Sequence, residues 1–393
     1  MDRVRNPFAP GAGNPPPELA GRQTLLDDIA TGLGRTAMGR PAQGTILVGL
    51  RGVGKTVLLV KAQELAEGLH YRTLLTEARE GRPLPDLIVP GLKSLLYSLS
   101  TIESAKELSK RAIRVLRSFV ASIKISIDDF EYGLSVDPEP GVADSGTLES
   151  DLPDLFEAVG MAARAAGRPV LLLVDELQYF DEREFGSLIM AMHRISQKGL
   201  PIHFIGAGLP QILGLAGESK SYAERLFRYP RIGALATPDA HAAIVNPVED
   251  EGAAIDEAAV RRIIEITEGY PYFLQQWSHD AWNICTTDRI TEDDVIKANV
   301  VSVGELDESF FRVRFDRCTP AEKRYMRALA ELGPGPHRSG EIADLLGVKT
   351  TSVGPVRGKL IRKGMIYSPQ HGDTAFTVPL FDAYMRRAMP TLD

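Results

Sequence analysis

The chain of 393 residues carries 45 Lys and Arg against 52 Asp and Glu, a formal charge of −7, with 44% hydrophobic and 25% charged residues. This describes an ordinary soluble protein of two or three domains. Only Cys285 and Cys318 are present, and no apolar run approaches membrane-spanning length, so a disulfide framework and a membrane span are both excluded and a reducing, cytoplasmic setting is expected.

Residues 1–17 are proline-rich and lack an apolar core. They read as an extended arm, not as a secretory signal. From Glu18 the chain enters a helix with Leu25, Ile29 and Leu33 on one face. Thr45 to Val48 then reads as a short buried strand, followed by the octapeptide GLRGVGKT, Gly49 to Thr56. It fits the phosphate-binding pattern G-x-x-x-x-G-K-[ST], and Val57 to Leu69 continues as a helix, the context that pattern requires. Gly49, Gly52 and Gly54 let the backbone around Arg51 and Val53 curl so that its N–H groups face a phosphate at a helix N-terminus. Lys55 is expected on the β- and γ-phosphates, and the Thr56 hydroxyl on Mg²⁺. ATP and Mg²⁺ are therefore the expected ligands.

Tyr71 to Thr76 reads as a second buried strand. Residues 84–150 are expected to be an insertion: helices over Leu84–Leu99 and Ser104–Ile123, then period-two alternation on both sides of Asp128-Asp129, a hairpin pattern, and a loop over Asp137–Ser150. Val170 to Val174 is a continuous apolar run ending in Asp175-Glu176, about 120 positions after the loop. A carboxylate there lies beside the phosphate loop. Asp175 is assigned to Mg²⁺ through water, and Glu176 to the attacking water, the alternative for Glu176 being an ordinary surface acid. A helix over Asp181–Ser196, a strand over Ile202–Ile205 and a strand within Tyr229–Leu235 complete the order. The fold class is α/β, a P-loop parallel sheet with helices on both faces.

From Thr237 the chain turns helical, over Ile255–Glu268, Tyr272–Cys285 and Thr291–Val301. Farther on, Thr319-Pro320 opens a helix, Ser339 caps a short one, and Thr350 or Thr351 caps a longer one to Lys363. With a hairpin around Ser368–Thr374 this forms a winged helix-turn-helix. Val356, Leu360 and Ile361 are expected inward, and Arg357, Lys359, Arg362 and Lys363 outward, toward double-stranded DNA. The stretch from Phe315 holds 12 Lys and Arg against 8 Asp and Glu, a modest basic excess on an acidic body. A protein-binding winged helix with a solvated basic face is the alternative.

Taken together, these motifs resemble the AAA+ and STAND P-loop ATPases, in particular archaeal and bacterial ATPases related to origin-recognition-type initiators. ELAGR, Glu18 to Arg22, resembles the box that lines the adenine pocket, which implies contacts from Gly21 and Arg22. LLLVDELQ resembles this branch's Walker B motif, and Gly269-Tyr270-Pro271 a lid motif that places Tyr270 and Pro271 at the nucleotide. Arg225 and Arg228 fall where an arginine finger is expected, in a core able to self-associate. The sequence departs from the family at Gly206-Ala207-Gly208, where a polar γ-phosphate sensor is usual. The expected domains are an arm (1–17), an ATPase core (18–236), a helical lid (237–305) and a winged helix (306–393). Three functions stay open: an ATP-driven switch that binds DNA, a STAND-type signalling ATPase that binds protein, and a nucleotide-binding scaffold with negligible turnover.

Overall fold

The structure is a computed structural model and describes residues 1–11, 13–123, 136–219, 223–370 and 372–392. The hairpin expected around Asp128-Asp129 lies outside the described residues. The first helix, α1 (Gln23–Ala37), precedes β1 (Gly44–Gly49) and α2 (Lys55–Gly68). Then come β2 (Arg72–Glu77), α3 (Leu84–Ser100), α4 (Lys106–Ile123), α5 (Leu148–Ala166), β3 (Val170–Asp175), α6 (Glu182–Gln197) and β4 (Ile202–Gly208). Two short helices, α7 (Ile212–Ser219) and α8 (Ala223–Leu226), lead to β5 (Phe227–Arg228) and β6 (Arg231–Ile232).

The strands form one parallel sheet in the order β2-β3-β4-β1-β5, with β6 also pairing with β1. In register, Thr45 faces Ile205 and Val174 faces Gly206. β1, β3 and β4 are buried along their whole length, as their unbroken apolar runs require when helices cover both faces. On one face α1 and α2 seal Leu33, Leu58 and Leu171; on the other α3 to α6 enclose Leu96, Phe119, Phe156 and Phe185. β2 is not the buried strand expected. It is the edge, and only Leu74 is fully covered. The loop expected over 137–150 is loop as far as Thr147, and its last three residues open α5, a helix not among those expected. Its Thr147 entry leads into a helix whose buried Asp151 accepts from Ser122, Ser145 and Gly146, so a polar Ser/Gly/Asp stretch is a folded cap. The strand expected within Tyr229–Leu235 divides into β5, which lies just before that range, and β6, which lies inside it.

The remainder is mostly helical: α9 (Thr237–Asp250), β7 (Ala254–Ile255), α10 (Glu257–Thr267), α11 (Pro271–Ile284), β8 (Arg289–Ile290) and α12 (Glu292–Glu305). A π-helical turn over Leu306–Phe311 carries α12 into α13 (Arg312–Asp316), so the expected boundary at 305/306 falls inside a continuous helical segment. Last come α14 (Pro320–Glu331), β9 (His337–Arg338), α15 (Ser339–Leu345), α16 (Thr350–Arg362), β10 (Ile366–Tyr367), β11 (Asp373–Phe376) and α17 (Phe381–Ala388). β10, β11 and β9 make a small antiparallel sheet. One apolar cluster runs from Phe8 through Trp277 and Phe311 to Phe381, joining the N-terminal segment, helices α9 to α12 and the C-terminal helices.

Candidate functional site

β4 separates β1 from β3, so the phosphate loop and the end of β3 stand two strand spacings apart, roughly 10 Å. The loop closes that gap by curling. Gly52 at φ 80° and Gly54 at φ 89° adopt left-handed backbone that a side chain would strain, and α2 starts directly at Lys55. A Cβ at Gly49 would lie 2.2 Å from the Ile232 carbonyl, so the close approach of β6 demands glycine there. As a result Thr56 Oγ1 donates to Asp175 Oδ2 at 2.6 Å. Lys55 is buried and donates to the carbonyls of Gly49, at 3.0 Å, and Leu50, at 2.7 Å. Burial lowers its pKa, while Glu176 and Asp175 pull it back up. Burial raises the Asp175 pKa, opposed by the Thr56 hydrogen bond.

Glu176 sits at φ 54°, a left-handed turn that swings it off the strand end. Its carboxylate accepts from the Gln178 amide and lies 3.8 Å from the Arg51 guanidinium. Arg51 also donates to Tyr179 Oη at 3.2 Å. Gln178 Oε1 in turn accepts the Leu209 N–H at 2.9 Å. This explains the two glycines at the end of β4. A Cβ at Gly206 would lie 2.4 Å from Leu177 Cδ1, and one at Gly208 3.2 Å from Gln178 Oε1. The room a polar residue would take on β4 is filled by Leu177 and Gln178 of the turn that follows β3.

A cavity of about 340 Å³ opens above the loop. Gly52, Val53, Gly54, Lys55, Thr56, Arg51 and Glu176 line its polar end. Leu19, Ala20, Leu235, Ala243 and Leu274 give it an apolar wall, with Arg22 beside them. Arg22 donates to the Gly233 carbonyl at 2.6 Å. Gly21 is not on the wall; its φ of 67° turns the chain past Asp239, which leaves no room for a Cβ. Gly49 and Asp175 stand just behind the lining. Of the lid motif, Pro271 lines the cavity but Tyr270 does not. Tyr270 is wedged between the sheet core and the lid core, 6.0 Å from the Phe273 ring, and Tyr272 takes the place expected for it. Tyr272 N–H donates to the Gly52 carbonyl at 3.1 Å.

Several lining residues had no sequence signal. Ala9, Pro10, Gly11, Gly13 and Asn14 of the N-terminal segment line the cavity, while Met1 to Phe8 are pinned to α11: Asn6 donates to the His279 carbonyl at 3.0 Å and Trp282 Nε1 to the Asp2 carbonyl at 2.8 Å. Gln275, Phe310 and Arg314 close the far side. Arg225 and Arg228 do not reach the cavity. Both are exposed, and Arg228 pairs with Asp28 at 2.8 Å.

On α16, Leu360 is buried and Val356 and Ile361 are half-buried, as expected. The outward set needs correction. Arg357 turns inward, donating to Thr374 Oγ1 at 2.9 Å, Ser368 Oγ at 2.7 Å and the Asp373 carbonyl at 2.8 Å. Lys363 donates to buried Glu322 at 2.7 Å. Long cationic side chains over a polar sheet edge find carbonyls and hydroxyls there, which helical spacing does not reveal. Only Lys359 and Arg362 of the four are exposed.

Fold and cavity together define a P-loop nucleotide-binding ATPase of the AAA+ type. The AAA ATPase domain family matches residues 18–205. A domain of unknown function, DUF8462, matches residues 308–385. No curated protein sequence matches the chain. Among solved structures, the chain is similar to the Walker-type ATPase PABY2304 of Pyrococcus abyssi, at 16% identity and TM-score 0.55, covering 94% of this chain and 96% of that one. It is also similar to the Orc1 protein of Aeropyrum pernix in complex with DNA, at 14% identity, TM-score 0.49 and 98% and 96% coverage. The RuvB Holliday junction branch migration motor of Thermotoga maritima follows at 14%, 0.44 and 91% and 92%. Among the described residues no helix is long and apolar enough to cross a membrane.

Proposed function

We propose that the chain is an ATP-hydrolysing switch with an ATPase core over 18–236, a lid over 237–305 and a winged helix over 306–393, strapped by an arm over 1–17. The observation that carries this is the shared cavity. Loop, Glu176, lid and C-terminal segment all line one volume, so a nucleotide there touches every part at once. Lys55 and the loop N–H groups hold the phosphates. Thr56 and Asp175, already 2.6 Å apart, offer the hydroxyl and carboxylate oxygens that a hard cation prefers, and suit Mg²⁺. Bound there, Mg²⁺ would neutralise charge on the phosphate oxygens. Glu176 orients and polarises water, while Gln178 and Arg51 fix its carboxylate. Arg225 or Arg228 acts only in a neighbouring copy's site, which requires self-association through the core.

The test is a pair of substitutions. Lys55→Ala removes nucleotide binding seen by calorimetry, because a charge-assisted phosphate contact is lost. Glu176→Gln keeps binding and abolishes phosphate release. Negligible release by the unaltered protein would instead leave a nucleotide-binding scaffold.

A second reading, DNA contact through α16, is favoured by exposed Lys349, Lys359 and Arg362 at its start and along it. Arg357 and Lys363, held internally, favour a winged helix that docks on protein.

A further inference from the structure

We propose that Arg314 contacts the terminal phosphate of ATP and so ties the C-terminal segment to the phosphate count of the bound nucleotide. The proposal rests on the reading of the cavity as an ATP site. Arg314 lies on α13, outside the matched ATPase stretch and inside the one of unknown function. It nevertheless lines the same cavity as Lys55 and Glu176.

Its pose is fixed from one side only. The guanidinium lies 3.9 Å from the Phe310 ring centroid and donates Nη1 to the Phe310 carbonyl at 2.5 Å. Phe310 is stacked on Tyr272, whose N–H holds the phosphate loop at Gly52. Among the described residues no carboxylate stands within ion-pair distance of Arg314. Its charged surroundings are Arg51, Arg317 and Glu176; burial and then Arg51 push its pKa down to about 10. A second observation points the same way. Arg51 Nε, on the same wall, is buried with no hydrogen-bond partner.

Two guanidiniums thus line the same cavity as Lys55, and among the described residues Glu176 is the carboxylate that acts on both of them. Buried cations in such excess call for an anion with several acceptor oxygens. Arg314 and Arg51 both feel Glu176, the group assigned to the water that attacks the γ-phosphate, so the charge expected there is the γ-phosphate. A diphosphate leaves that place empty of anion. Because α13 continues from α12 and leads to α14, the contact would fix the C-terminal segment when ATP is bound and release it when ADP is.

The test uses the full chain and calorimetry with ADP and with AMP-PNP. Arg314→Met keeps the packing stem over Phe310 and removes the charge; Arg314→Lys keeps the charge and loses the fork. Losing a hydrogen bond to a charged group costs roughly ten- to a hundredfold in affinity. The expected result is that loss for AMP-PNP in Arg314→Met, with ADP affinity within about twofold, and a smaller AMP-PNP loss in Arg314→Lys. Hydrogen exchange over 306–316 should be slower with AMP-PNP than with ADP in the unaltered protein, and equal in Arg314→Met. Equal losses for both nucleotides, or none, would overturn the proposal and leave Arg314 as a structural pin for Phe310. If the unaltered protein binds neither nucleotide, the ATP reading itself fails; if it binds both and Lys55→Ala loses both, that reading stands whatever Arg314 does.

Discussion

Arg51, in the phosphate loop, donates its backbone N–H to the carbonyl of Thr377, in the C-terminal segment, at 3.2 Å. The two lie more than 300 positions apart in sequence. Thr377 is itself held by its hydroxyl, which donates to the Gly364 carbonyl at 2.6 Å. Gly364 takes a φ of 65°, and a Cβ on it would lie 2.8 Å from Arg51 Nη2. The C-terminal segment therefore docks directly on the loop expected to bind phosphate, and a glycine makes the close approach possible.

Gly364→Leu tests that docking. A side chain in left-handed backbone costs about 1–2 kcal/mol, and this one also meets the Arg51 guanidinium. The expected outcome is a lower Tm and faster limited proteolysis across residues 306–316. Unchanged cleavage would mean that the segment holds its place without the Gly364 contact.

Gln178→Leu tests the brace behind Glu176. The substitution removes the amide that donates to Glu176 and leaves the Leu209 N–H without its acceptor. A positioned general base contributes about 10²–10⁴-fold, so losing part of its positioning should lower kcat by roughly tenfold or more. KM and ADP affinity should stay within about twofold, since the loop is untouched. An unaltered kcat would show that Arg51 alone orients Glu176.

The parallel sheet, the phosphate loop and the acidic end of β3 were legible because each is local. An unbroken apolar strand, a glycine spacing and a strand-end carboxylate are all written within a few consecutive residues. What stayed hidden depends on chain folding back over long distances. Tyr272 and Tyr270 are equally plausible at the nucleotide by motif; only the wedge of Tyr270 between two cores decides between them. Arg314 carries no motif, because its place is set by the π-helical turn that carries α12 into α13. Gly206 and Gly208 looked like a missing sensor, yet their smallness is what admits Leu177 and Gln178. Helical spacing sends Arg357 outward, and hydroxyls on β11 and beside it draw it in.

The pH dependence of stability should carry a mark from His203. This imidazole is buried on β4, its Nδ1 3.0 Å from Thr36 Oγ1, and burial lowers its pKa from 6.5 to about 4. The unfolded chain takes up the proton first as pH falls, so stability is full above about 6.5 and declines between there and about 4. The most this can amount to is about 3 kcal/mol. Chemical denaturation at several pH values should show that decline, and His203→Leu should flatten it. An unchanged slope would assign the acid sensitivity to other groups.

The arm should govern nucleotide release. Phe8 is buried in the lid core, and burial of such a ring is worth about 1.5–3 kcal/mol. That anchor, with Asn6 and the Trp282 bond to Asp2, holds Ala9, Pro10, Gly11, Gly13 and Asn14 at the cavity. Deleting residues 2–8 frees that segment. Stopped-flow displacement of a fluorescent ADP analogue should show several-fold faster release. Equal rates would mean that the lid, not the arm, limits escape.

DNA contact by α16 separates cleanly by residue. Lys359 and Arg362 are exposed and have no ion-pair or hydrogen-bond partner among the described residues, so each is able to meet a phosphate. Each phosphate contact contributes about 0.9 to the slope of log affinity against log salt. If the reading holds, the Lys359→Ala, Arg362→Ala double variant should shallow that slope by about 1.8 and leave ADP binding unchanged. Arg357→Ala should behave differently. It deletes three internal hydrogen bonds and leaves fully buried Thr374 with Tyr325 as its remaining hydroxyl partner, so it should lower the Tm of the full chain instead. A full chain that shows no salt-sensitive retention of duplex DNA in either nucleotide state would end the DNA reading. The C-terminal segment would then be a docking surface for protein, consistent with its seat on Arg51.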